Sequence, residues 1–562
     1  MRRRVHAGWL LLGLGTALSA LMTGCSSDAP KTVKVTVTPD KSTVLTCSTG
    51  AFSATVSNAA SSDVTWSLTP DEGYGTIDSS GTYAAPARTP SPATVTINAA
   101  SVAEPGAHAS VQATLATAFP GDAQALTGAP GIAALGGAGT YAHVVAARGS
   151  RVYAAWPDDS DASAALLKVA RSDDGGATWN HAVTAISAAL LDDSLGSAGG
   201  LECPAIAIDA GDPNVIYAIG HVTAENEYSK PLDDSTSGAQ TQLLAVSTDG
   251  GAKWQTYVLH VGAAGDICAD VASPSPDNVV VVSPGWSCSD GDTDLRDLFV
   301  WSDADRGQGF SDGSNTDAPV EYFADGFVDS LGNLTGDDCG ADHIIPLSDG
   351  GTDDSGDAAE SPRLFTDGAG NLCVTYVGEV IPKDGDTVTS VYVQCSTDAG
   401  QTFSDVQKLD NPALAGFTSA TGAFGPGGIA AITYGTAGSP DHRLYLSVST
   451  DGRTFGTPAT VPTYFESNNV PSQALNPALA FDPNGILWLT YRTADSGSII
   501  VDKSCDGGQT FSGSLPVVKG GKTSALLKWP TFATTDAAAP SVFAWGDDSI
   551  SSYTLAVPVA AP

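Results

Sequence analysis

Positive charge is what this sequence has least of. Lys and Arg number 25 among 562 residues against 62 Asp and Glu, a formal net charge of −37. A surface of that sign repels phosphate backbones and anionic headgroups, which excludes nucleic acid as a partner class and suits solubility, divalent cations or cationic partners. Long apolar runs are also missing beyond one that ends at Met22, so no later segment reads as a membrane span. There is no CxxC pair or Cys/His spacing for zinc, and no phosphate-binding glycine loop, nucleophile elbow or metalloprotease helix.

What is present begins with an address. Arg2, Arg3 and Arg4 precede the apolar run from Trp9 to Met22, too short to span a bilayer and shaped like a secretory signal. The stretch Leu21-Met-Thr-Gly-Cys25, followed by Ser26-Ser27-Asp28, resembles a bacterial lipoprotein signal. That resemblance implies a signal over residues 1–25, a lipidated Cys25, a short tether over 26–30 and export to the cell envelope, at the outer membrane or cell surface. Contact with the membrane is then through the acyl chains alone.

Eight cysteines remain after Cys25, and an even remainder in an exported chain suggests disulfides. One pair can be argued. Leu372-Cys-Val-Thr-Tyr-Val377 and Val391-Tyr-Val-Gln-Cys395 read as strands of a hairpin centred on Asp384, which sets Cys373 opposite Cys395 and Tyr376 opposite Tyr392.

Residues 31–117 are rich in Thr, Val, Ser and Ala, with alternating strands such as Val33–Val37, Val64–Leu68 and Thr94–Ile97. That pattern predicts a small β-sandwich. Gly75-Thr-Ile-Asp78, Gly81-Thr-Tyr-Ala-Ala-Pro86 and Trp66 together resemble bacterial Ig-like domains, in which Trp66 would be a core residue.

From 118 to 562 the chain repeats itself. The octapeptide SDDGGATW (172–179) returns as STDGGAKW (247–254), STDAGQTF (396–403) and SCDGGQTF (504–511), with a shortened copy at 449–455 and a decayed one at 305–310. Its acidic positions are Asp174, Asp249, Asp305, Asp398, Asp451 and Asp506. A second feature precedes most copies: Pro204–Asp209, Pro362–Asp367 and Pro477–Asp482 each lead through a tight turn to a strand such as VYAAW, CVTY, AITY or WLTY. Units of strand A, turn, strand B, loop, strand C, acidic turn and strand D predict propeller blades. The recurring octapeptide resembles the Asp boxes, or BNR repeats, of sialidase-type β-propellers. The expected fold is therefore all-β, an Ig-like sandwich followed by a propeller, with seven blades favoured over six, and residues near Asp122 to Thr127 closing the ring.

A catalytic group is needed once, whereas glycine and aspartate recurring at a turn mark backbone geometry. The octapeptides read as structural, and function is sought at the opposite end, among the B to C loops and D to A connections. There Asp290, Asp292, Asp294 and Asp297 alternate as a hard cation such as calcium prefers, a solvated acidic loop being the other reading. Sialidases grip a carboxylate with three arginines, the first in an F/Y-R-I-P motif; here that place reads Thr140-Tyr-Ala-His-Val144. The remaining catalytic candidates are Glu202, Glu360, Arg363 and Arg492, with salt bridges and rim charges as the alternative. Trp286 and His221 are ligand-binding candidates. Trp156, Tyr434, Tyr491 and Trp545 recur at one strand position and read as packing between blades.

Two functions fit. One is a monomeric surface lipoprotein that presents its acidic loop face to a glycan or a surface protein. The other is a sialidase-like glycoside hydrolase that uses paired carboxylates.

Overall fold

A computed structural model of the chain describes residues 31–86, 90–116, 124–125, 145–158, 166–175, 178–180, 182–187, 201–223, 240–262, 268–286, 296–307, 320–322, 343–345, 358–380, 388–409, 420–436, 443–461, 474–493, 499–511, 515–518, 527–533, 541–546 and 555–556. Among the described residues the regular elements are strands, with one 3-10 turn at Pro426–Gly428. Among the described residues no helix is long and apolar enough to cross a membrane.

The N-terminal part is a sandwich. Thr94–Ser101 alternates between half-buried and buried positions, the period of a strand with one face on a core. It lies between Val64–Thr69 and His108–Ala116, and Lys41–Leu45 joins the latter as a parallel edge. Lys34–Thr38 pairs with Ser53–Ser57, and Thr82–Ala84 pairs with Thr49–Ala51 and Thr76–Ile77. Val35, Val37, Phe52, Tyr83, Val95, Ile97, Ala113 and Leu115 fill the space between. Trp66 is half-buried and packs on the rim of that core, lying across Gly81, whose φ of +88 suits a residue without a side chain.

The rest is a β-propeller. Successive antiparallel sheets begin with inner strands Val145–Arg148, Leu201–Ile208, Asp270–Ala272, Ala358–Thr366, Thr421–Phe424, Ala474–Phe481 and Leu527–Ala533. Each inner strand contacts the next, and Leu527–Ala533 returns to Val145–Arg148. Gln124–Ala125 pairs with Leu555–Ala556, which in turn lies beside Ser541–Gly546. The start of the propeller thus joins its end, closing the ring.

Apolar residues cover both faces of the middle strands because each sheet is packed between two others. Arg151–Asp158 and Ala430–Gly435 are buried almost throughout. The aromatic residues that end these strands, Trp156, Tyr434 and Tyr491, are fully enclosed between sheets, as their recurrence in the sequence suggests. The side chain of Trp545 lies outside the described set. The hairpin Leu372–Val380 with Val388–Ser396 has the expected register, with Cys373 opposite Cys395 and Tyr376 stacked on Tyr392 at 5.5 Å between ring centres. A disulfide joins that cysteine pair.

Candidate functional site

The antiparallel order of strands gives the propeller two ends. The acidic octapeptides occupy one, together with the turns that join inner strands to second strands. At Ser396 the hydroxyl donates to Asp398 Oδ1 (2.7 Å) and accepts the Gly400 N–H (2.8 Å). The carboxylate also accepts the Thr402 N–H (2.9 Å) and the Thr402 hydroxyl (2.6 Å). The same set recurs at Ser504, Asp506, Gly508 and Thr510. Asp174 likewise accepts from Ser172 and Thr178, and Asp249 takes N–H groups from Ala252 and Lys253.

In the shortened copy Asp451 accepts the Thr454 N–H at 2.7 Å. In the decayed copy Asp303 stands in the place of serine, accepting N–H groups from Asp305 and Gly307. Asp305 is solvent-facing there. The Thr402 hydroxyl bond holds the Asp398 carboxyl at about 2, and the N–H of Thr454 holds Asp451 well below the usual carboxylate range. These acids are consumed by the turns that they fold.

The adjoining turns work the same way. Asp209 is fully buried and accepts N–H groups from Gly211 (2.7 Å), Asp212 (2.8 Å) and, from the next sheet, Asp277 (2.7 Å), while Tyr217 donates its hydroxyl. Asp482 accepts from Asn484 and Ile486. Burial raises the Asp482 carboxyl.

The opposite end is built from the starts of inner strands, and its geometry is different. In four sheets the inner strand carries one residue too many for its partner: between Glu202 and Ala205, between Glu360 and Arg363, between Leu475 and Ala478, and between Leu527 and Trp529. Each of the first three bulges contains a proline (Pro204, Pro362 or Pro477), which has no N–H to give the ladder. The residues before two of these prolines, Cys203 and Ser361, have φ of +48 and +50, a left-handed conformation that costs side-chain-bearing residues about 1 to 3 kcal/mol. A disulfide from Cys203 to Cys268 ties one bulge to the next inner strand.

The bulges place Glu202 and Glu360 at equivalent positions in two sheets separated by one. Glu202 lies in register with His221 on the second strand, and His221 with Gln242 on the third. His221 and Gln242 are both buried. The Gln242 amide donates to Gly220 O at 3.1 Å, and its carbonyl oxygen is buried with no hydrogen-bond partner among the described residues. The side chains of Glu202 and Glu360 are outside the described set.

Arg363, which stands where sister strands carry alanine, is not a rim cation. It is 4% exposed, its guanidinium donates to Pro362 O at 2.6 Å, and burial lowers its pKa against the opposing charge of Asp270. Asp270 is itself buried and accepts the Leu364 N–H at 2.8 Å, so this acid fastens two inner strands together. Arg492 ends its second strand opposite Leu475 at the third bulge. It is half-buried, its pKa is lowered by burial, and its Nε has no partner among the described residues.

Trp286 ends the strand Val279–Trp286 at the same end of the propeller. Asp297 lies near the start of Arg296–Asp303, whereas Asp290, Asp292, Asp294 and Cys25 lie outside the described residues. Among the described residues no group of His, Cys, Asp or Glu is arranged to hold a metal ion. Asp270 and Gln242 escape a sequence reading because neither belongs to a repeated phrase. The Cys203–Cys268 link had a signal, since both cysteines open successive inner strands.

No protein-family description matches the sequence, and no curated protein is significantly similar to it. Among solved structures the chain is similar to an ulvan lyase of a polysaccharide lyase family, bound to a GlcA(1-4)Rha3S unit, at 12% identity and a TM-score of 0.48 over 76% of this chain and 95% of that one. It is similar to a Hadza microbial sialidase at 13% identity and a TM-score of 0.38, over 84% of this chain and 75% of that one. It is also similar to the fucose-specific lectin of Aleuria aurantia at 12% identity and a TM-score of 0.32, over 69% of this chain and all of the lectin.

Proposed function

We propose that the chain is an exported, lipid-anchored surface protein whose propeller takes a glycan at the inner-strand end, away from the acidic octapeptides. The observation that carries this reading is the pair of position-matched bulges at Glu202 and Glu360, with left-handed Cys203 and Ser361 beside them. Such backbone is costly, and bulges of this kind re-aim side chains at the rims of closed sheets. Carboxylate, imidazole and amide in one cross-strand row, with Arg492 and Trp286 at the same end, are groups that accept and donate to sugar hydroxyls.

A net charge of −37 favours a neutral glycan over a polyanion, and Arg363 is buried and donates to Pro362 O rather than standing free to grip a carboxylate. The anchor at Cys25, the Asp-box identity of the octapeptides, a seven-bladed ring, a monomeric state and calcium at Asp290, Asp292, Asp294 and Asp297 belong to the same proposal.

A second reading is glycoside hydrolysis, supported by the equivalent placement of Glu202 and Glu360, since a pair of carboxylates flanking a glycosidic bond is the chemistry that such enzymes need.

The test is a glycan array and a panel of fluorogenic glycosides, run on the chain from residue 26 onward, with calcium and with a chelator. Saturable binding without turnover, weakened by Glu202→Gln, supports the first reading. Turnover lost in Glu360→Gln replaces it with the second, and no interaction with any glycan removes both. Binding abolished by the chelator and restored by calcium supports the cation site; binding indifferent to both rejects it as part of the glycan site.

A further inference from the structure

The sandwich and the propeller meet at two cysteines. Cys47 follows the sandwich strand Lys41–Leu45 on a turn held by two backbone bonds, Thr46 N–H to Ala116 O at 2.9 Å and Cys47 N–H to Pro86 O at 3.2 Å. Cys505 occupies the second position of the octapeptide SCDGGQTF, between Ser504 and Asp506, whose side chains are bonded at 2.7 Å. Between them Lys503, buried in the propeller, donates its ammonium to Thr46 O of the sandwich at 3.3 Å. The two sulfurs are not joined in this structure, and each thiol acts electrostatically on the other.

We propose that Cys47 and Cys505 form a disulfide that fastens the sandwich to the propeller through this octapeptide. Both cysteines sit on turns fixed by their own hydrogen bonds, Cys47 one residue from Thr46 and Cys505 two from Lys503, which are already bonded across the junction, so closure needs local adjustment of the side chains rather than a new docking of the two parts. No other described octapeptide carries a cysteine at this position; Asp173, Thr248 and Thr397 stand there instead. The pairing also leaves Cys288 and Cys339 as the only unassigned pair among the cysteines after Cys25.

The chemistry balances with a thiol–disulfide oxidant, the same class that the Cys203–Cys268 and Cys373–Cys395 bonds require. Cys505 is the exposed member, and its thiol is made more acidic first by the neighbouring Cys47 thiol, with the Lys503 charge also helping. Its thiolate attacks one sulfur of the oxidant disulfide and expels the other as a thiolate. Cys47 then loses its proton and attacks the Cys505 sulfur of that mixed disulfide, releasing the oxidant as a dithiol. Two thiols have given up two protons and two electrons, and one S–S bond has formed.

The test is peptide mapping of the full chain made with export and unfolded in N-ethylmaleimide without reductant. The expected result is a Cys47 peptide linked to a Cys505 peptide, two hydrogens lighter than their sum, with no maleimide on either. Maleimide on both cysteines, or either one linked to Cys288 or Cys339, overturns the proposal. In Cys47→Ser the expected result is one equivalent of maleimide on Cys505, with Cys203–Cys268 and Cys373–Cys395 still closed; Cys505 remaining unlabelled in that variant would also overturn it. The wild-type map decides the matter even if the variant fails to fold.

Discussion

The two ends of the propeller hold charge in opposite ways. In the octapeptides, carboxylates face solvent and are held ionised by the N–H and hydroxyl groups of the turn that each one folds, as at Asp398 and Asp451. At the inner-strand end, arginines are drawn inside and their charge is disfavoured by burial, as at Arg363 and Arg492. The first arrangement is complete in itself and repeated, which is what a clasp requires. The second keeps buried polar atoms that have no partner among the described residues, Gln242 Oε1 and Arg492 Nε, which is where a ligand finds unmet hydrogen-bonding capacity.

The comparison is broken most severely at Asp209, whose carboxylate collects bonds from its own turn and from the next sheet. Asp209→Ala leaves several buried donors without partners and is expected to cost about 3 kcal/mol or more in chemical denaturation. A smaller loss, about 1 to 2 kcal/mol, is expected for Asp398→Ala, with glycan binding unchanged, because the turn lies at the far end. Equal loss of stability and binding in that variant would erase the distinction between the ends. Glu360→Gln sharpens the contrast from the other side: affinity is expected to fall about tenfold, roughly 1.4 kcal/mol, while the melting temperature stays within about 2 °C of the wild type.

The smallest effect is on pH dependence. The Asp398 carboxyl is depressed from its unfolded value near ~3.9 to about 2 in the fold, so its contribution is present above about pH 4 and is lost as pH falls toward 2. Asp398→Asn is therefore expected to melt with a shallower acid dependence across that window than the wild-type chain. An unchanged slope would mean that the turn does not favour the ionised form.

Repetition made the octapeptide end legible. A turn whose partners lie within four residues advertises itself wherever it recurs, and so did the hairpin that pairs Cys373 with Cys395. The inner-strand end was only half legible. Pro204, Pro362 and Pro477 marked the strand starts, but a proline does not announce that the ladder will take an extra residue there. Asp270 reaches Leu364 across 94 positions, and Lys503 reaches Thr46 across 457. Contacts of that separation are set by closure of the ring and by the seating of the sandwich, which no local period encodes. Arg363 shows the consequence most clearly: a cation conspicuous among alanines reads as a rim residue until its burial against the neighbouring strands is known.

The division between the two ends is tested most directly by hydrogen–deuterium exchange on the chain from residue 26 onward, with and without a glycan found to bind it. Slowed exchange across 201–223 and 358–366, with none at 172–180, 396–403 or 504–511, is the predicted result. Slowed exchange centred on the octapeptide turns would contradict it.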